Sequence, residues 1–439
     1  MLVNRIKKKI LADPKKVILQ YLQLNNQRTE RVIANVVDLS EMDANNILTK
    51  LVKDFSGRHR NFEEKIYLNY LRVKDQTGLS KKLSDSKKLL IGAYFSKEYS
   101  ISAAALFNPS IVMHPDQSNL KKDEIRFLMS LRATGEGHIS SIEFREGIIG
   151  SNYRVSLSNS SRFCSTYKNL KFSSKSEVKN KFKTTRLEEA VIKDYSGSNY
   201  SCSFDHNVPV NERVLFPVSA SECVGMEDLR LVKFGGNNNP IYYGTYTAYN
   251  GFNFRTQLLE TRDFLKFKIH TLHGDAVKDK GMALFPRKIN GKYVITSRQD
   301  GENLFIMNSE NLFQWYTAEK LKTPEYSWEF LQIGNCGSPI ETEKGWILIT
   351  HAVGPMRRYV ISAVLLDLQN PAKIIGVLDN PLIEPNQRER EGYVPNVVYS
   401  CGSMVYKNNL VIPYAYSDSA SGFAMVNVNE LLKRFINVN

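Results

Sequence analysis

Beyond Leu89 the chain is a succession of short apolar runs rich in Val, Ile, Tyr and Phe, broken by Gly, Asn, Asp and Pro. Strand formers alternating with turn formers at this spacing are the pattern of an all-β chain. The runs also fall into groups. One group holds residues 107–112, 127–132 and 139–144, and a second holds 227–234, 241–249 and 256–260. A third spans 282–286, 293–298 and 304–307, a fourth 337–341, 346–351 and 359–368, and a fifth 395–398, 410–414 and 423–426. Each repeats one plan: a first strand, a turn, a second strand ending in polar residues, and a third strand. Multi-stranded repeats of roughly fifty residues read as the blades of a β-propeller, and five fit this length. The polar ends of the second strands, Arg132, Tyr249, Arg298, His351 and Asp418, fall at matching places and are expected to converge on one pocket.

Before these repeats the period is different. Val17, Ile18, Tyr21 and Leu22, then Val32, Ile33, Val36 and Val37, recur at three- and four-residue steps, which predicts helices. Ser40 with Asp43 reads as a helix start leading into Ile47, Leu48, Leu51 and Val52. The expected organisation is therefore an α-helical module over 1–89 and an all-β, five-bladed propeller over 90–439. Residues 152–211, dense in Ser, Lys and Asn, form a long insertion, either a loop or an extra hairpin.

The charge balance, 59 Lys and Arg against 45 Asp and Glu, leaves a net +14. Such a surplus fits nucleic acid, an anionic surface or a small anionic substrate. Only the run from Lys168 to Lys183 interleaves aromatics (Phe172, Phe182) with its lysines, and no nucleic-acid motif accompanies it, so the surplus reads as a solvated surface. Five widely spaced cysteines argue against a disulfide framework and a zinc site. No run approaches the roughly twenty apolar residues that span a bilayer, and a cytoplasmic protein with no nucleic-acid or membrane partner is expected.

The densest chemistry is Gly225-Met226-Glu227-Asp228-Leu229-Arg230, two adjacent carboxylates and an arginine at the head of a strand. Taken alone it also fits a turn with a surface ion pair. Glycoside cleavage needs one group to protonate the leaving oxygen and another to activate water or attack, commonly two carboxylates, and Glu227, Asp228, Asp300, Glu302 and Asp418 supply them. Lys280, Arg298 and His351, with Arg230, could hold an oxyanion, or each could pair with a carboxylate. Tyr246, Tyr249, Trp315, Trp328 and Tyr393 could stack on sugar rings or simply pack between strands. Histidine is scarce and lacks ligand spacing, so no metal is expected. Phosphate-loop and serine-elbow motifs are absent.

The segments 225–230, 280–286 (Lys-Gly-Met-Ala-Leu-Phe-Pro), 338–346 and 394–398 with Cys401-Gly402 resemble glycoside hydrolase family 130, in order and from about Phe107 to the C-terminus. The resemblance implies a five-bladed propeller that hydrolyses or phosphorolyses β-mannosides. It makes Asp228 the proton donor, acting through a mannose hydroxyl, with Glu227 and Arg230 shaping the subsite and Asn108, Arg132 and Asp418 touching sugar. Tyr249, Asp300, Gln332 and Tyr393 complete the candidate substrate contacts. It also places Lys280, Arg298 and His351 in a phosphate site, but Gln332 stands where the resemblance leads one to expect a lysine. That departure favours hydrolysis as the main expectation: an inverting β-mannosidase, acting on β-1,2-linked manno-oligosaccharides, with Glu302 as the water-activating base. The alternative is a phosphorylase releasing mannose 1-phosphate, with inorganic phosphate as co-substrate and no other cofactor. A non-catalytic glycan-binding propeller and a mannosyltransferase are more distant readings, and a homo-oligomer is compatible with all of them.

Overall fold

The computed structural model describes residues 3–182, 187–236 and 240–438; Lys183, counted in the basic run above, lies outside them. The chain is mostly β with seven α-helices among the described residues, and it divides into two compact units.

The smaller unit comprises Asp13–Ala103 with Ser161–Ser165. Helices Asn26–Asp38, Glu41–Phe55, Phe62–Thr77 and Asp85–Tyr94 enclose a core that includes Ile33, Val36, Tyr70, Val73, Leu90 and Ile91. Side chains of Asn25, Ser40 and Ser84 accept hydrogen bonds from the backbone N–H of Arg28, Asp43 and Lys87, which caps three of the helices. Gly92 lets two helices meet, since a Cβ there would fall 1.8 Å from the Ile66 carbonyl oxygen. Two expectations are corrected. Residues 17–22 are not helical: Val17–Tyr21 is a strand paired antiparallel with Ser96–Ser100, where β-branched Val17 and Ile18 suit a pleated surface. The boundary also moves, because Met1–Ala12 belongs to the other unit.

In that larger unit, strands form five antiparallel meanders. The first runs through Ala105–Met113, Ile125–Thr134 and Ser140–Ile149. The second is Gly225–Phe234, Ile241–Tyr249, Phe254–Thr261 and Lys266–Thr271, and a parallel bridge pairs its Gly225 with Ser140 of the first. The third is Ala283–Leu284, Tyr293–Ser297, Leu304–Ser309 and Glu319–Lys322. The fourth is built on Gln332–Asn335, Gly345–Gly354, Arg358–Leu366 and Ile374–Val377. The fifth, Val398–Tyr399, Asn409–Tyr416 and Ala420–Asn427, is completed on its outer side by the N-terminal strand Val3–Leu11.

Side chains alternate between the two faces of a strand, and here both faces are apolar, so each sheet must be covered twice. Trp346 and Leu348 pack with Phe285, Val294 and Ile306 of the third meander, while Ile347 and Ile349 pack with Leu410, Ile412 and Ala424 of the fifth. The fifth turns Val411, Phe423 and Met425 onto Leu106, Phe127 and Met129 of the first. The first turns Leu128 and Phe144 onto Met226, Leu231 and Tyr242 of the second, which in turn packs Val232 and Leu258 on Leu284, Ile295 and Met307 of the third. Five cores thus link five meanders in a closed succession.

Residues 152–211 fold as more than a loop. Asn169–Phe172 and Tyr200–Ser203 form a hairpin added to the outer edge of the second meander, and helices Lys175–Lys181 and Glu189–Ser198 lie between its strands.

Ile10, only 6% exposed, inserts from the N-terminal strand into the core shared by the fifth and first meanders. Ile10→Ala is expected to cost about 2–4 kcal/mol in denaturant unfolding, whereas a residue of a separate helical module would leave the transition of the sheets unchanged.

Candidate active site

Two bulges aim the central side chains. The ladder between the first two strands of the first meander shifts register between Phe107 and Ser110, and that of the second between Glu227 and Arg230. Within these bulges Asn108 (φ 48°) and Asp228 (φ 56°) adopt left-handed backbone, a conformation Asn and Asp tolerate better than other side chains. Ser417 and Asp418 take the same conformation in the hairpin turn of the fifth meander. The three polar side chains Asn108, Asp228 and Asp418 all line one cavity of about 390 Å³.

Every meander contributes to that cavity: Asn108 and Arg132 from the first, Asp228 and Arg230 from the second, Arg298 from the third, Gln332, Asn335 and His351 from the fourth, and Tyr399 and Asp418 from the fifth. Asp279 and Lys280 enter from the connection before the third. The size suits a small ligand such as one or two sugar units.

Asp228 sits at the centre of a charge network. Asn108 Nδ2 donates to its Oδ1 at 2.7 Å and Arg132 Nη1 approaches the same oxygen at 3.4 Å. Arg132 Nη2 donates to Glu227 Oε1 at 2.6 Å, and Lys280 Nζ to Glu227 Oε2 at 2.9 Å. Arg230 donates to the Asp228 carbonyl at 2.9 Å and to the Tyr399 hydroxyl at 2.7 Å. Burial works to raise the Asp228 pKa, but the fields of Arg132, Arg230 and Lys280 with the Asn108 hydrogen bond outweigh it and hold the carboxyl below its usual range. Asp418 goes the other way: burial, reinforced by the charge of Asp228, pushes it up to about 6.

His351 is not a cation here. Burial, then Arg298 and Arg230, lower its pKa to about 3, so the ring is neutral. Its Nδ1 lies 3.1 Å from the Asn335 carbonyl, which can only accept, so Nδ1 carries the proton. Nε2 is then an acceptor, matched by the Gln332 amide at 3.2 Å. The expectation of a charged His351 in an anion site is corrected to a neutral ring whose Nε2 presents a lone pair. Arg298 lines the cavity with its Nε held by Asp279 at 3.0 Å.

Other expectations change. Glu302 is exposed and absent from the described lining of the cavity; its turn presents the backbone carbonyl to Ile333 instead. Asp300 is also exposed and caps that turn, accepting from the N–H groups of Glu302 and Asn303 at 3.0 and 2.9 Å. An Asp at a turn start satisfies the backbone nearest to it, which the sequence pattern could not separate from a site carboxylate. Tyr249 stacks on Phe254 and donates to Gly251, outside the described lining. Tyr393, 55% exposed, bonds His138 beside the lining residue Val394. Trp315 and Tyr246 are core side chains, and Trp328 bonds the Asp379 carbonyl. Lining residues that the sequence reading missed include Phe107, Phe254, Asp279, Asn335, Arg357, Tyr359 and Tyr399. The aspartate directly before Lys280 was the one legible signal among them.

The family model described as beta-1,4-mannooligosaccharide phosphorylase matches residues 184–436, more than half of the chain. The chain belongs to glycoside hydrolase family 130. It is thereby an enzyme of the glycosidase and glycoside phosphorylase type. It is 35% identical over 252 residues to a 1,2-beta-oligomannan phosphorylase of Thermoanaerobacter sp. strain X514, covering 56% of this chain and 80% of that one. A beta-1,2-mannobiose phosphorylase of Listeria innocua is 27% identical over 239 residues, covering 52% and 65%. The solved structure of a Listeria innocua β-1,2-mannobiose phosphorylase with β-1,2-mannobiose superposes at a TM-score of 0.51 and 22% identity, over 76% of this chain and 92% of that one, which supports the fold.

The Asp418 shift carries a pH signature. Its folded pKa lies above that of an unfolded aspartate, so its contribution to stability is full below about pH 4 and lost as pH rises through 6. Asp418→Asn is expected to stabilise the protein by about 2–3 kcal/mol at pH 8 and not at pH 4, read by thermal unfolding at the two pH values.

Proposed function

We propose that this chain is a β-mannoside phosphorylase that cleaves β-1,2-linked manno-oligosaccharides with inorganic phosphate and releases mannose 1-phosphate with inversion. The observation that carries the reading is the charge of the cavity. Arg132, Arg230, Lys280, Arg298 and Arg357 face it against three lining carboxylates, Asp228, Asp279 and Asp418, with a fourth carboxylate, Glu227, shared between Arg132 and Lys280. Of these, Asp279 is paired with Arg298 and Asp418 holds its proton up to about pH 6. A site with surplus guanidinium and ammonium groups suits an anionic nucleophile better than water. The names of the relatives support the same direction, and Glu302 is exposed and not among the described residues that line the cavity. We read the closed succession of five meanders as a five-bladed propeller, with the reaction at the cavity they share.

In this scheme Asp228 supplies the proton to the leaving oxygen through a mannose hydroxyl, and Asn108 fixes its orientation. A carboxylate held ionised by arginines is a poor acid until something offsets those charges. Phosphate does so: as its oxygens take up the fields of Arg132, Arg230 and Lys280, the Asp228 pKa rises toward protonation. The nucleophile and the acid are thereby coupled. Arg298, held through its Nε by Asp279, orients the phosphate for attack on the anomeric carbon.

Incubation with β-1,2-mannobiose is expected to yield mannose 1-phosphate and mannose only when phosphate is present; equal release of free mannose without phosphate would overturn the reading. Asp228→Asn should lower kcat by about 10²–10⁴. Arg298→Gln should raise KM for phosphate by about tenfold or more while leaving KM for the sugar nearly unchanged in steady-state kinetics.

A further inference from the structure

A second groove, of about 270 Å³, adjoins the reaction cavity, and Phe254 lines both. Its other walls include Tyr195, Arg255, His273, Asp275 and Tyr316. Phe254 and Tyr316, 48% and 46% exposed, both line this one groove. We infer that this groove is a distal subsite that binds the leaving-group side of a manno-oligosaccharide longer than two units, an inference that rests on the manno-oligosaccharide reading of the main cavity.

The chemistry of the groove matches a pyranose chain. A sugar presents C–H faces that pack on aromatic rings and an equatorial rim of hydroxyls that need partners. Phe254 and Tyr316 offer the faces, and Arg255, Asp275 and His273 offer donors and acceptors at the rim. Phe254 is itself fixed, stacked on Tyr249 with centroids 4.9 Å apart and covered by Lys280 Nζ at 4.0 Å from its ring. Lys280 also lines the main cavity, so the ring marks the passage from one site to the other.

One wall of the groove comes from the insertion, and it is held rigidly. Arg255 forks onto Asp194 at 3.1 and 2.5 Å and donates to Ser198 at 3.0 Å, which pins helix Glu189–Ser198 to strand Phe254–Thr261. From the same helix, the Tyr195 hydroxyl meets His273 Nδ1 at 3.0 Å, and the Thr271 N–H donates to Asn199 Oδ1 at 2.6 Å. Helix Glu189–Ser198 thus contributes a wall of the inferred substrate path through Tyr195.

Tyr316 lies outside the described lining of the main cavity, so its replacement separates the two sites. Tyr316→Ala is expected to raise KM for β-1,2-mannotetraose about fivefold or more and to change kcat and KM for the disaccharide less than twofold. An unchanged tetramer-to-dimer ratio of kcat/KM, or an equal loss on both substrates, would overturn the subsite. Calorimetric titration with the tetrasaccharide in phosphate-free buffer keeps this test distinct from that of phosphorolysis. Weaker binding by Tyr316→Ala supports the groove even if no phosphate-dependent product forms, and identical binding by both proteins overturns it.

Discussion

The arrangement on which the rest depends is the alternation of charge around Asp228. Arg132 is shared between Asp228 and Glu227, Glu227 is shared between Arg132 and Lys280, and Arg230 reaches back to the Asp228 backbone. The Glu227 side chain is 8% exposed and that of Arg132 19%, so neither charge could stay there unpaired. Removing one partner from such a pair typically costs about 3–5 kcal/mol because the other charge is left uncompensated. The partners come from separate meanders, so only a correctly closed set of sheets brings them together. Folding and site assembly are in this sense one event.

The fold was legible where periodicity is strong. The grouping of strands in five sets, the Ser40 cap and the convergence of Arg132, Arg298, His351 and Asp418 on one cavity follow from residue spacing, although the first strands of the fourth and fifth sets lie at Gln332–Asn335 and Val398–Tyr399 rather than at 337–341 and 395–398. Tyr249, the fifth of that set, turns to a neighbouring ring and a local carbonyl instead. The N-terminal strand escaped because its partner Ala420–Asn427 lies at the other end of the chain, and sequence patterns do not report pairing over such separations. Val17–Tyr21 was misread for a related reason: a five-residue apolar stretch fits a helical step and a strand equally until its partner is known.

At the site, residues on strand ends were found and residues on turns were not reliably sorted. Asp300 and Asp418 both sit beside a turn, yet one caps its own backbone and the other faces the cavity. Composition cannot distinguish them; only the fold shows that Asp418, at positive φ, lines the cavity. His351 shows a second limit. Its position was right and its charge was not, because burial and two arginines decide protonation, and neither is visible in a linear sequence. The neutral ring paired with Gln332 also explains why a glutamine in place of the expected lysine does not by itself exclude phosphate: the cation surplus of the cavity survives on Arg132, Arg230, Lys280, Arg298 and Arg357.

In the proposed reaction, an anion entering this cavity takes over the cations that keep Asp228 ionised. Sulfate tests it most directly, because it carries a fixed double charge and cannot itself take up a proton near pH 6. Calorimetric titration with sulfate in two buffers of different ionisation enthalpy measures binding and proton exchange together. One sulfate per chain is expected to bind, more weakly in added salt, with net uptake of part of a proton by the protein. Absence of binding, or binding with no proton uptake, would contradict it.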